Sequence, residues 1–123
     1  KDRKKWIEQP LFKSYIFVKI ELKNSVLLLN TPGVVKIVKF GNKILPVQND
    51  DIKSLKSLLE GNFDVQPIDY LLHGDQVIVK NGPLRGLKGE IIKLQNKNRL
   101  IIRIDSIQNS VSVLIEKQFL KKL

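Results

Sequence analysis

Few side chains in this chain are of a type that could do covalent chemistry. There is one histidine, His73, and there are seven serines, no cysteine and twelve carboxylates. A serine nucleophile needs a histidine base that a third group orients, and no serine has such a context here. The adjacent acids Asp50 and Asp51 could be a general acid/base pair. Their place before an apolar stripe instead makes them the start of a helix, where the positive end of the dipole favours carboxylates. The glycines from Gly82 to Gly89 suggest a phosphate loop, but no Gly-Lys-Ser/Thr follows and no helix opens there. Metal ligation requires clustered His, Cys or carboxylate ligands, which the sequence lacks. No enzymatic activity, metal or cofactor is expected. What remains is charge: 22 Lys and Arg against 12 Asp and Glu, a net +10. Such a balance suits a polyanionic neighbour such as nucleic acid. Lysines dominate, and they act on phosphate as point charges without the planar fork of arginine. The candidate surface for nucleic acid or another partner is Lys80, Arg85, Lys88, Lys97, Arg99 and Arg103. The competing reading of each is an ordinary solvated charge.

The elements that must carry these residues fall into two halves. After a basic lead-in, Leu11 to Leu22 alternates Ile16, Val18, Ile20 and Leu22 with Tyr15, Phe17, Lys19 and Glu21, the period of a half-buried strand. Asn24 or Ser25 could cap a short helix through Val26–Leu29, and Thr31-Pro32-Gly33 stops it. Val34 to Phe40 is rich in β-branched residues and predicts a strand. Gly41-Asn42 predicts a turn, and Lys43 to Val47 a short return strand. Asn49 to Glu60 predicts a helix capped by Asn49 or Asp50. Its apolar stripe is Ile52, Leu55, Leu58 and Leu59, and Gly61 is placed to end it in a left-handed conformation. Residues 61–69, with Gly, Pro and acids and no periodicity, read as a linker.

From Leu71 the pattern becomes short strands separated by turns: Gln76–Lys80, Lys88–Leu94, Arg99–Ile104, Ser110–Ile115, and a last element with Phe119 and Leu120. This predicts a small closed five-strand barrel, which removes exposed sheet edges. In the middle stands Gly74-Asp75-Gln76-Val77-Ile78-Val79, then Gly82-Pro83-Leu84-Arg85-Gly86, then Gly89-Glu90-Ile91. Gly82 can take a positive φ, while Pro83 pre-sets a turn and gives up a backbone donor. Leu84 and Leu87, between the glycines, can cover a core.

Gly74, Asp75, Val77, Val79, Gly82, Pro83, Leu84, Gly86, Gly89 and Ile91 together resemble the KOW motif. That resemblance implies an SH3-like β-barrel over 70–123 of the kind found in transcription elongation factors and some ribosomal proteins. Upstream, Pro10-Leu11-Phe12-Lys13-Ser14-Tyr15-Ile16-Phe17-Val18, Thr31-Pro32-Gly33-Val34-Val35 and Val38-Lys39-Phe40-Gly41 resemble the N-terminal domain of the NusG family, with Lys13 where a proline is usual. Within it the likeness points to specialised paralogues of the RfaH and UpxY type. The fold class implied is an α+β NusG-like domain over 1–60, a linker over 61–69, and an all-β KOW barrel. The strand and helix that open such a domain lie upstream of Leu11 in the family and are missing here. Either the sequence is a fragment of a longer polypeptide or another copy or chain completes this half, and the absence of Met favours the fragment.

The resemblance implies a cytoplasmic elongation or antitermination factor that docks on RNA polymerase and suppresses pausing. By position, Phe12, Tyr15 and Phe17 are its polymerase contacts, with core packing as their alternative. Ser25–Leu28 falls where related proteins touch the polymerase gate loop, but Ser-Val-Leu-Leu lacks the polar residues seen there, so core packing is expected. The barrel's implied partner is a ribosomal protein or the termination factor Rho. No membrane and no small-molecule substrate is expected. Some family members refold this half as a helical hairpin; the β-branched residues of Leu100–Ile104 and Val111–Ile115 favour strand instead. The rival reading is a ribosomal or general RNA-binding KOW protein.

Overall fold

The computed structural model describes Phe12 and residues 15–123. The chain divides into two compact units, Lys1–Ile37 and Val38–Leu123.

In the first unit the alternating stretch does not become a strand: residues 15–21 have no regular structure. An isolated strand leaves its amides unpaired, and none of the described residues of this unit offers a ladder. A single 3-10 turn, Leu22–Asn24, leads into the short helix α1, Ser25–Leu29, and the Asn24 side chain makes no cap bond. Thr31 Oγ donates back to the Leu27 carbonyl (3.1 Å), and the Val34 amide closes on the Thr31 carbonyl (3.1 Å). That turn has Pro32 at its second position and Gly33 at its third with φ 90°, the combination a type II turn requires.

The second unit opens with a two-residue hairpin, β1 (Lys39–Phe40) and β2 (Lys43–Ile44), turning at Gly41-Asn42. The longer strands expected around this turn are limited to these pairs. Helix α2 follows, Asn49–Glu60. Its N-cap is Gln48, without a side-chain cap bond, and not Asn49 or Asp50; Asp50 and Asp51 occupy the first turn. Gly61 is extended (φ −93°, ψ 171°) and not left-handed. Its missing side chain serves another end, because a Cβ there would run into the Phe63 ring. Leu55 and Leu58 are buried, and the helix packs against the strand Lys97–Ile104. Leu59 points outward.

The sheet has six antiparallel strands: β3 (Val65–Ile68), β4 (Asp75–Val79), β5 (Lys88–Leu94), β6 (Lys97–Ile104), β7 (Asn109–Leu114) and β8 (Leu120–Lys122). Their order is β3-β7-β6-β5-β4-β8. The stretch read as a linker therefore contains a strand, which makes six where five were expected. Pro67 sits in β3 at the sheet edge, where a missing amide donor is tolerated. Among the described residues no ladder joins β3 to β8. The β5–β6 hairpin turns in two residues, Gln95 (φ 51°) and Asn96 (φ 63°), the double positive φ that matches strand twist.

Register assigns the faces, because residues paired across a ladder share one side. Val77, Leu100 and Val113 lie on the core face with Val79, Ile102, Ile104 and Val111, all buried. The opposite face carries Gln76, Glu90, Ile101, Ser112 and Gln66 in one cross-strand row. Ile101 and Ser112 are as buried there as the core itself. Among the described residues no helix is long and apolar enough to cross a membrane.

Candidate functional site

The motif between β4 and β5 forms a tight return. The Val79 amide donates to the Leu87 carbonyl (2.8 Å), and the Gly86 amide donates back to the Val79 carbonyl (2.8 Å). Gly82 (φ 87°) and Gly86 (φ 95°) take the left-handed conformations this reversal needs. Leu84 and Leu87 are buried, and Asn81, Pro83 and Arg85 are exposed. Gly89 serves close approach: a Cβ on it would meet the Ile101 carbonyl and the Leu100 side chain. Ile91 pairs with Asp75 and Leu100 across both neighbouring strands. Replacing Gly86 by alanine is expected to destabilise the chain by about 1–2 kcal/mol through backbone strain. A urea titration checks this, and an unchanged midpoint would reject the assigned turn geometry.

The connection from β3 to β4 has to cross β7, β6 and β5 on the face away from the core. Polar side chains of that face pin it. Arg103 on β6 donates to the carbonyls of Tyr70 and Leu72 (2.7 Å for Leu72) and grips Glu90 Oε2 through Nε (3.2 Å) and Nη2 (2.9 Å). Its guanidinium also lies over the Tyr70 ring, 5.2 Å from the centroid. Glu90 Oε1 accepts from the Gly74 amide (3.0 Å) and lies 3.2 Å from His73 Nδ1. Tyr70 donates its hydroxyl proton to Asp105 (2.7 Å), which raises the tyrosine pKa. Burial alone would push the Glu90 carboxyl up, but the Gly74 amide, Arg103 and His73 outweigh it and hold the group below the usual carboxylate value. Glu90 is thus committed to Arg103 and to the Gly74 amide, and His73, 71% exposed, meets it through Nδ1.

Arg99 has a similar role. It is 6% exposed and donates to Ser112 Oγ (2.8 Å), the Ser112 carbonyl (3.3 Å), and both the carbonyl and carboxylate of Asp64 (2.9 and 3.2 Å). Arg99 and Arg103 are therefore internal ties of the sheet and not part of a charged surface. Lys80, Arg85, Lys88 and Lys97 are exposed. Register in the sequence marks neither arginine as special. The only hint is that both lie on one strand, flanking the apolar run Leu100-Ile101-Ile102.

In the first unit, Phe12 is 4% exposed and packs edge-on against the half-buried Phe17, with centroids 6.1 Å apart. Tyr15 is 39% exposed. Of the three aromatics, Tyr15 is the one available to a partner. Around it Ile16, Val18 and Ile20 are exposed, as are Val26, Leu27 and Leu29 of α1. Of Ser25–Leu28, where core packing is expected, Val26 and Leu27 are exposed while Ser25 and Leu28 are half-buried. Among the described residues no cluster of three or more metal-type ligands is present.

The family model described as "Transcription termination factor nusG" matches residues 1–56. The match takes in the aromatic stretch, α1, the Thr31-Pro32-Gly33 turn and the first part of α2. No curated protein and no solved structure matches the chain significantly.

Proposed function

We propose that the chain is a NusG-family transcription factor that rides RNA polymerase during elongation or antitermination and works through protein contacts, without catalysis. The observation that carries this reading is the NusG match over residues 1–56, which contains the exposed apolar residues Tyr15, Ile16, Val18 and Ile20. Exposed apolar side chains grouped in this way mark an interaction site. Residues 70–123 act as a KOW module of SH3-like type, the Gly82–Gly86 return and the antiparallel strands being its parts. Its partner is a second protein, in the family a ribosomal protein or Rho, and the site of action is the cytoplasm. Within the family the reading is a specialised paralogue of the RfaH and UpxY type, and Pro10-Leu11-Phe12 and Thr31-Pro32-Gly33-Val34 are the residues that resemble the NusG N-terminal domain.

The polymerase contact is tested by pulldown of purified core RNA polymerase on immobilised chain. Tyr15→Ala is expected to weaken capture about tenfold, the range of an aromatic anchor lost from an interface. Phe12→Ala acts indirectly, by unseating Phe17. Equal capture by wild type and Tyr15→Ala, or no capture at all, would overturn the reading.

A further inference from the structure

We infer that the edge of β7 is an exchangeable strand site, filled here by β3, which an extended segment of another protein takes over if it brings an acid in the place of Asp64 and a hydroxyl in the place of Ile68. The two strands of this ladder are unequal. On β7, Ser110, Val111, Ser112 and Val113 are each 2% exposed or less. On β3, Val65 and Ile68 are half-buried, and Gln66 and Pro67 are exposed. β7 thus belongs to the core, while β3 covers it without burying a side chain of its own. The Leu114 amide donates to the Asp64 carbonyl (3.1 Å). Hydrogen-bonded and non-hydrogen-bonded pairs alternate along an antiparallel ladder. In the observed register Gln66 and Ile68 therefore bond to β7 at Ser112 and Ser110, and Val65 and Pro67 turn their backbone groups to the free side. Pro67 has no amide to offer there, so the outer edge of β3 is blunted against a further strand. A partner strand finds a full ladder only in place of β3.

Two side chains of the sheet set what the incoming segment has to bring. Ser110 Oγ is buried and has no hydrogen-bond partner among the described residues. Directly across the ladder stands Ile68, whose side chain has no polar atom to give it. A buried hydroxyl left unpaired is costly. Residues directly opposite have Cβ atoms about 5 Å apart, close enough for a Thr–Ser hydrogen bond. A threonine in the place of Ile68 satisfies Ser110 and keeps a methyl group on the surface that Ile68 covers. At the other end Arg99, with its side chain 8% exposed, takes its carboxylate from Asp64 (3.2 Å). A segment that displaces β3 has to replace that acid, because a buried guanidinium stripped of its partner is strongly unfavourable. A second copy of this chain would bring another isoleucine and leave Ser110 unpaired, so the site favours a different polypeptide. Neither the ladder nor the orphan hydroxyl depends on the polymerase contact proposed above.

The test is fluorescence anisotropy of the full chain with a labelled peptide of residues 61–69 carrying Ile68→Thr. The same peptide with Ile68→Val, isosteric but without the hydroxyl, is expected to bind at least about fivefold more weakly. Adding Asp64→Asn to the threonine peptide is expected to weaken it at least about tenfold. A chain with Val65→Gly and Ile68→Gly holds its own β3 less well. It is expected to bind the threonine peptide about tenfold more tightly than wild type, since a larger fraction has the site open. Hydrogen exchange on the wild-type chain at saturating peptide reads the exchange without any variant of the protein. The Gln66 and Ile68 amides should lose protection while those of Ser112 and Leu114 keep it. No binding, equal affinity for the threonine and valine peptides, or equal or tighter binding of the unchanged 61–69 sequence would each overturn the proposal. So would a bound state that protects the Val65 amide and leaves Gln66 and Ile68 protected, which is addition outside β3.

Discussion

Arg103→Ala should lower the free energy of unfolding by about 3 kcal/mol, the lower end of the cost of breaking a buried ion pair by removing one partner. Both side chains are largely withdrawn from solvent, 13% exposed for Arg103 and 18% for Glu90. The change strips Glu90 of two charge-assisted hydrogen bonds and leaves the carbonyls of Tyr70 and Leu72 without their donor. A carboxylate left buried and underpaired costs more than the pair contributed. The same geometry gives a pH dependence with a definite sign. The folded-state pKa of Glu90 lies below its ordinary value of 4.5. The stability linked to it is therefore complete above that ordinary value and is lost as pH falls through the lower, folded one. Urea titrations from pH 7 to pH 3 should show part of the acid loss of stability disappearing in Glu90→Gln. An Arg103→Ala midpoint indistinguishable from wild type at pH 7 would mean that the crossing loop is held by something else.

Leu58→Ala is expected to cost about 3 kcal/mol, within the range for a buried leucine truncated to alanine. Leu58 is 1% exposed on the helix that packs against β6. Loss of stability should appear in a single transition, with the helical and strand signals of circular dichroism melting together, because α2 shares a compact unit with the sheet. Leu59→Ala, one position along at a residue 61% exposed, should change stability by no more than about 0.5 kcal/mol. If Leu58→Ala melted the helix while leaving the strand transition unmoved, α2 would belong to a separate domain ending near residue 60, the boundary that residue patterning suggests.

That boundary illustrates where local pattern stops being informative. The helix itself is legible, since Leu55 and Leu58 fall on one side at 3.6 spacing and acids fill its first turn. What the helix packs against is not, because an apolar stripe specifies a covered face and no particular cover. Residues 61–69 look like a linker for a comparable reason. Val65 and Ile68 are too few and too interrupted by Pro67 to announce a strand, and only the edge of β7 turns them into one. Tyr15–Leu22 errs in the opposite direction: its alternation is that of a strand, but a strand exists only where another offers its amides and carbonyls.

Charge shows the same division. Lys80, Lys88, Arg99 and Arg103 are equivalent as letters, and all were candidates for one basic surface. Folding sends the two arginines inward to Asp64, Glu90 and the Tyr70–Gly74 crossing, and leaves the lysines outside. The sequence by itself determined the glycine-rich return between β4 and β5, the short β-rich strands of the second half, the helix at Asn49–Glu60 and the excess of positive charge. Each of these depends on residue type within a few positions: which residues accept a positive φ, which are β-branched, which repeat at 3.6. Tertiary structure alone decided the sixth strand, the docking of the helix on β6 and which cations remain available. Those outcomes depend on partners distant in the chain, and burial is a property of the neighbours a side chain meets.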